Sequence, residues 1–429
     1  MIATRKQSTS ARGGRALPFT ALALSAALLA ACGGGGGSSG SSTPGLSVSA
    51  SMTMATYGYT QQPTLRWTAT AASQVDLTAC TTTALNATNI GTTGTKQFAA
   101  GATAGTYTCT LRATALDGGT ATKAITWTVN PPEPSTLVAS VPAPSYVAGD
   151  GRITGFNYLN GVRGRCGWGL LKQDTHLDQA AIDHAHYMAV NMDQGGKTFD
   201  QVYEHTQTPG WLSYTGVSGT DRATYRGYPA GYVGDQLSGG GVGPNDRAEF
   251  AQVAAGFVGS TYHGFAALAV ATDTGIGYDA SSTSGFFVLN IGAPASIGTD
   301  QRPAGDTVQT YPCEGETNVP TPHFSENVNP LPSRDWNANP VGTPILIAVR
   351  PGHPLTVTSV TMAPEGGAPL TGTLITSAND VNHFLQPEQA AWLPNGWLQR
   401  LTRYSVTIKG TNGAVPFTKS FTFTTWDQA

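Results

Sequence analysis

Apolar and polar residues alternate with a period of two at both ends of this chain and give way to helical spacing only in the middle, so three units of two kinds are expected. From about Gly45 to Val129 the runs Thr64-Leu65-Arg66-Trp67-Thr68, Thr106 to Leu111 and Ala124 to Val129 read as short strands, separated by Gly and Asp-Gly-Gly turns. That is the pattern of an all-β sandwich. From about Asn318 to Trp426 the same character returns. Arg403 to Gly410 faces Phe417 to Thr424 across Asn412-Gly413, a strong hairpin signal. Between them, Asp174 to Asn191 places Leu177, Ala181, His184 and Met188 on one helical stripe, with Asp174 or Thr175 as cap. A second helix is expected from Asp246 to Gly259, with Phe250, Val253, Ala254 and Phe257 on its stripe, and Gly285 to Ile291 as a strand. The middle unit is therefore α/β.

The N-terminus carries Arg5, Lys6, Arg12 and Arg15 ahead of an uncharged run from Ala16 to Ala31, which is a signal-peptide layout. The run is shorter than the roughly 20 apolar residues a spanning helix needs. It ends in Leu29-Ala30-Ala31-Cys32, which resembles a lipobox and implies lipidation of Cys32. The expected division is a lipoprotein signal peptide (1–31), a Gly/Ser tether (32–44), a β-sandwich (45–130), a Pro-rich linker (131–143), the α/β unit (144–313) and a C-terminal β-sandwich (314–429). Loss of the signal leaves 19 basic against 26 acidic residues, a formal charge of −7, which argues against nucleic acid as partner. The expected location is a lipid anchor in a cell membrane, with outer-membrane display because Gly33 rather than aspartate follows Cys32. The expected state is a monomer.

With Cys32 lipidated, Cys80, Cys109, Cys166 and Cys313 allow three connectivities. Pairing within units favours Cys80 with Cys109 and Cys166 with Cys313, which needs an oxidising compartment. A zinc site made of all four lacks the short C-x-x-C spacing.

Four segments of the middle unit resemble, in order, the bacterial branch of the CAP superfamily, also called SCP or PR-1-like. They are "LNGVRGRCGWGLLKQDTHLDQAAIDHAHYMAVN", "EHTQTPGW", "DRATYRGYPAGYVGDQLSGG" and "VAAGFVGSTYHGFAAL", followed by "GIGYDASSTSGFFVLNIG" for the closing strands. The flanking units are similar to bacterial Ig-like modules, through "GTYTCTLRATALDGGTATKAITWTV" in the first and the closing F-x-F-T-T in the last. The CAP resemblance implies an α-β-α sandwich with a groove where two histidines and acidic residues converge. Carried over by position, the histidines are His205 and His263, and Asp235 with Gln236 replaces the family's Glu-Asn. Glu249 is the candidate second acid, with Glu204 another. Phe257 stands in place of tryptophan, and Gly264 in place of the arginine after the second histidine. His184 is expected in the core, while His176 and His186 face solvent and His323, His353 and His383 lie singly.

Two imidazoles with one or two carboxylates suit a divalent ion, zinc or calcium, although no cofactor is required by the pattern. No G-x-S-x-G elbow, H-E-x-x-H, Walker loop or dinucleotide fingerprint occurs. The leading expectation is a non-enzymatic binding protein for a lipid-like, envelope or extracellular ligand, small molecule or protein. The alternatives are a metal-assisted hydrolase of peptide or cell-wall material, with His205, His263 and Asp235 on the ion and Glu249 as base, and an adhesin or structural envelope protein.

Overall fold

The computed structural model describes residues 45–240, 247–296, 301–324, 326, 328–336 and 338–427, with backbone alone for 247–249. The signal segment 1–31, Cys32 and the tether lie outside the described residues, as do Gly241 to Asp246. The chain is a β-rich multidomain protein with few helices, and among the described residues no helix is long and apolar enough to cross a membrane.

Seven strands open it: β1 (Ser47–Met52), β2 (Thr56–Tyr57), β3 (Thr64–Thr70), β4 (Gln74–Thr78), β5 (Thr93–Gln97), β6 (Gly105–Thr114) and β7 (Thr120–Val129). They form two sheets, ordered β1-β3-β5 and β2-β7-β6-β4. The inward residues of the alternating runs, among them Leu65, Trp67, Leu77, Leu111 and Trp127, make the core between them. Trp127 stacks on Phe98 and Tyr107 with ring centroids 4.9 and 5.4 Å away. Cys80 and Cys109 are joined as a disulfide.

In the middle unit come α1 (Arg152–Arg165), β8 (Lys172–Gln173), α2 (Thr175–Asp193), α3 (Phe199–Val202), α4 (Gly219–Tyr225), β9 (Ala230–Gly240), α5 (Arg247–Val258), α6 (Tyr262–Ala267), β10 (Asp273–Ala280) and β11 (Gly285–Pro294). Its sheet is ordered β8-β10-β11-β9, leaving β9 as an edge strand. Asp174 caps α2 by accepting from the N–H groups of His176 and Leu177. Helix α2 lies close on one face of β10 because Gly275 and Gly277 carry no side chain there. A Cβ on either would strike the α2 backbone around Leu177 and Ala181. The neighbouring Ile276 points the opposite way, toward Gly155 of α1 and Phe250 of α5. Helix α1 is absent from the sequence reading. It contains Gly155, Gly161 and Gly164, which weaken intrinsic helix propensity, and tertiary packing through Phe156, Leu159 and Val162 holds it.

The remaining strands are β12 (Val308–Tyr311), β13 (Glu316–Val319), β14 (Ile345–Val349), β15 (Leu355–Pro364), β16 (Gly372–Thr376), β17 (Gln389–Pro394), β18 (Arg403–Asn412) and β19 (Val415–Thr425). They make two four-stranded sheets, β12-β14-β17-β16 and β13-β19-β18-β15. The hairpin at Asn412-Gly413 is present, with Gly413 at φ 58°, and pairs Asn412 with Val415. Val308 to Tyr311 pairs with β14, so the third unit's sheet takes in residues N-terminal to 314.

Strand β14 is buried along its whole length, and its alternate residues serve different cores. Ile345, Ile347 and Val349 face the third unit's own sandwich. Leu346 and Ala348 belong instead to a cluster that also contains Phe156, Leu159 and Val162 of α1, Phe257 of α5 and Phe265 of α6. The middle and third units thus share a hydrophobic core rather than meeting through a linker. Around this seam Cys166 is bonded to Cys313, and Arg165 forms a two-pronged ion pair with buried Glu316 at 2.6 and 2.9 Å. The Pro-rich linker is itself strapped to the third unit. Glu133 accepts from the Gly305 N–H (at its carbonyl) and lies 3.3 Å from His353, while Arg350 donates to the Pro134 carbonyl.

Leu346→Ala deletes buried methyl groups from the shared core and is expected to cost about 2–5 kcal/mol. Calorimetry should show a single transition carrying both units move down together. Separate transitions, only one of them shifted, would mean that the cores are independent.

Candidate functional site

Edge strand β9 brings the site together because adjacent residues on it point to opposite faces. Asp235 faces the α2 side and Gln236 the α5 side. His205, in the segment after α3, sets its Nδ1 3.3 Å from Asp235 Oδ1. His263, in the first turn of α6, stands with its ring centroid 6.3 Å from that of His205. The two histidines and Asp235 expected from the sequence are therefore brought together. The side chain of Glu249, the candidate second acid, lies outside the described residues. Glu204 is exposed and contributes its carbonyl, which accepts from His184 Nε2 at 3.1 Å.

Asp235 is already paired on both of its oxygens. Its carboxylate, 8% exposed, is 2.5 Å from the guanidinium of Arg222, a side chain 1% exposed that also donates to the carbonyls of Val217 and His205. Burial alone would push the Asp235 carboxyl up. The His205 hydrogen bond and the Arg222 charge outweigh that and hold it down at about 2. The same hydrogen bond raises His205 above the usual imidazole value against the opposing effect of burial. Among the described residues, the group of three metal-ligating side chains with mutually close donor atoms is Cys166, Cys313 and Glu316, and its sulfurs are already spent in a disulfide. Among the described residues, the donor atoms of His205, Asp235 and His263 are not drawn together as a metal-ligating group.

His184 is wholly buried on α2, as its stripe position implies. Its Nδ1 accepts from the Gln207 amide at 3.2 Å and its Nε2–H faces the Glu204 carbonyl, so the ring is neutral. Burial, reinforced by nearby Arg222, pushes its pKa down to about 3. His176 and His186 are half exposed and each pairs with an aspartate, Asp174 and Asp279.

Helix α6 is held at both ends, which fixes His263. Arg163 of α1, fully buried without a carboxylate, donates to the carbonyls of Trp168, Gly169, Ala267 and Ala269, and burial pulls its pKa down to about 9. In the amide orientation that satisfies both its ends, Gln236 donates to the His263 carbonyl and accepts from the Ala267 N–H. At the other end Glu326 accepts from the N–H groups of Thr261, Tyr262 and His263 at 3.0, 2.8 and 2.7 Å, and one of its oxygens is 3.1 Å from His263 Nδ1. An acid beside His263 thus comes from the third unit. No spacing or periodicity points to it. His323 does not lie singly either: it is buried beside Glu326 and accepts from Thr261.

Next to this polar set is a small apolar cavity, with room for about one water-sized group. It lies between α1, α5 and the sheet and is lined by Gly155, Phe250, Val253, Ala254, Phe257 and Ile276 with Phe287 to Leu289. Phe257 joins the two features, since its ring also packs on His263 with centroids 5.5 Å apart.

No protein family matches the chain, and no curated protein does. Among solved structures, the chain is similar to a tetra-tandem repeat in the extending region of a large adhesion protein, at 10% identity over 89% of this chain and 74% of that one, with a TM-score of 0.17. It is also similar to the N-terminal eight Ig domains of Down Syndrome Cell Adhesion Molecule, at 10% identity over 88% of this chain and 54% of that one, with a TM-score of 0.14. Scores of that size fix neither fold nor function.

The buried neutral His184 makes stability depend on pH. Its folded pKa near 3 lies below the ordinary 6.5, so between those values the unfolded chain binds the extra proton and stability falls on acidification, by up to about 5 kcal/mol. His184→Gln keeps hydrogen-bonding capacity without titrating. Urea unfolding at about pH 7 and about pH 4 should show a smaller difference in the variant than in the wild type. Equal differences would remove His184 as the source.

Proposed function

We propose that this chain is a cell-envelope lipoprotein whose middle unit is a CAP-type α-β-α sandwich between Ig-like modules, and that it binds a lipid-like ligand without chemically transforming it. The layering of α2 on one face of the sheet and α1 with α5 on the other supports the CAP reading, as does the convergence of His205, Asp235 and His263. The observation that carries the binding reading is Phe257, one side chain that walls an apolar cavity and packs against an imidazole of the groove. The end of an apolar chain would press between α1, α5 and the sheet while its polar head meets His263 and His205. Ligand sites commonly combine an apolar lining with a few placed polar groups in this way. Catalysis is disfavoured by the engagement of Asp235 with Arg222, which leaves no uncommitted carboxylate at that position to hold an ion or take a proton.

The cavity test uses the full mature chain and a fluorescent long-chain fatty-acid probe. Wild type should bind it saturably. Val253→Trp, which fills the cavity without touching either histidine, should weaken binding at least about tenfold, a loss of about 1.4 kcal/mol. Unchanged affinity in the variant, or no saturable binding by wild type, would sink the reading. Anchoring has its own test, since Cys32→Ser should move the protein from the membrane fraction to the soluble one, and a variant that stays with the membrane speaks against a lipid on Cys32.

A further inference from the structure

The third unit supplies more to the groove than a wall. Glu326 is almost completely buried and accepts from three consecutive backbone N–H groups, and His263 Nδ1 stands 3.1 Å from the same carboxylate as an ion-pair contact. His323 stands 3.4 Å from the same carboxylate but offers it no proton. Its Nδ1 faces the Phe324 carbonyl at 2.6 Å, its Nε2 accepts from the N–H and hydroxyl of Thr261, and burial lowers its pKa. The next residue on α6 is bracketed by the same unit. Tyr262 donates to Asp380 at 2.5 Å, receives a hydrogen bond from Asn382 at 3.0 Å and packs edge-on against Phe384. Among the described residues, Nε2 of His263 meets no hydrogen-bond partner.

We infer that Glu326 is a positioning residue for the groove: from the third unit it keeps a proton on Nδ1 of His263, so that Nε2 is the nitrogen presented to whatever binds. The nitrogen of an imidazole that carries the proton is set by the partner of the other nitrogen, and a buried carboxylate selects N–H on its own side. In the neutral ring Nε2 is then an acceptor for a ligand hydroxyl or amide, and in the charged ring it is a donor, while Nδ1 stays committed in both. His205 is arranged in parallel, with its Nδ1 on Asp235, but there both partners come from the middle unit. The groove is therefore composite, one imidazole oriented from within the α/β unit and the other from outside it. This inference rests on reading the groove as the binding site.

The experiment is nitrogen-15 NMR of the full mature chain labelled at histidine, at a pH where the rings are neutral, with His263 assigned by its loss in His263→Gln. Wild type should show His263 as the Nδ1–H form. Glu326→Leu should shift the ratio toward Nε2–H by about tenfold or more and leave His205 unchanged, whereas Glu326→Gln, which retains an acceptor oxygen at the same reach, should keep Nδ1–H. A wild-type His263 in the Nε2–H form, or a leucine variant with the wild-type ratio, overturns the assignment. If the leucine variant does not fold, the wild-type form alone decides. No ligand enters this measurement. A wild type that does not bind the fatty-acid probe while its tautomer is as expected would therefore fault the binding reading, and an unaltered tautomer in the leucine variant with wild-type binding intact would fault the role of Glu326.

Discussion

Strand β14 is the member on which the rest of the molecule leans, because its five residues contribute to two cores at once. A strand buried on both faces is usual in the middle of an α/β sheet. Here it sits in a β-sandwich, and its second face is covered by helices of another unit. Burial of Leu346 and Ala348 removes apolar surface from water at about 25 cal/mol per Å², and neither unit can keep that gain if they separate. The covalent and ionic links gather near the same seam. The Cys166 to Cys313 bond spans 147 residues and so takes considerable chain entropy from the unfolded state. Arg165 compensates the charge of buried Glu316 beside it, and burying that carboxylate unpaired would be costly.

Because the two units cannot part without exposing this core, polar groups of one can be used to build the site of the other. Helix α6 has only six residues, too few to be stable by itself. It exists because Arg163 answers its C-terminal carbonyls and Glu326 its N-terminal N–H groups, each charge placed where the helix dipole favours it. The position of His263 is the product of these two contacts. His205 depends on a different balance. Asp235 is buried and charged only because Arg222 is buried and charged beside it, and His184 stays neutral between them. Such a set is self-satisfied. It holds imidazoles in place, and it has little spare charge with which to activate water or bind an ion.

What could be read in the sequence follows from how locally each feature is encoded. Alternation in Thr64 to Thr68 and Arg403 to Gly410, the turn at Asn412-Gly413 and the capped stripe of α2 are short-range patterns, and each corresponds to an element at that place. Helix α1 is encoded at long range. Gly155 is there so that the Phe250 carbonyl can approach, at a cost in helix propensity that hides the helix from a local reading. The apolar run Ile345 to Val349 shows nothing of which unit covers its second face. Of the site, His205, His263 and Asp235 were legible by position. Arg222 stood within a quoted segment, but its pairing needs α4 laid against β9. Glu326 sits in an irregular stretch 63 residues after His263, where no periodicity marks it.

The meeting of His205 with His263 has a simple geometric reason. An edge strand has one unpaired side, and natural proteins protect such edges with charges, bends or cover. Strand β9 carries Asp235 and four glycines along eleven residues and is flanked by α4 on one face and α6 on the other. A site in the interior of the sheet could draw side chains from one face at a time. At the edge, residues from both faces turn the corner and meet, which is how His205 from the α2 side and His263 from the α5 side come within 6.3 Å. The same openness lets the third unit reach α6 with Glu326 and Asp380. The edge that would otherwise invite strand pairing is thus occupied by Asp235, His205 and His263.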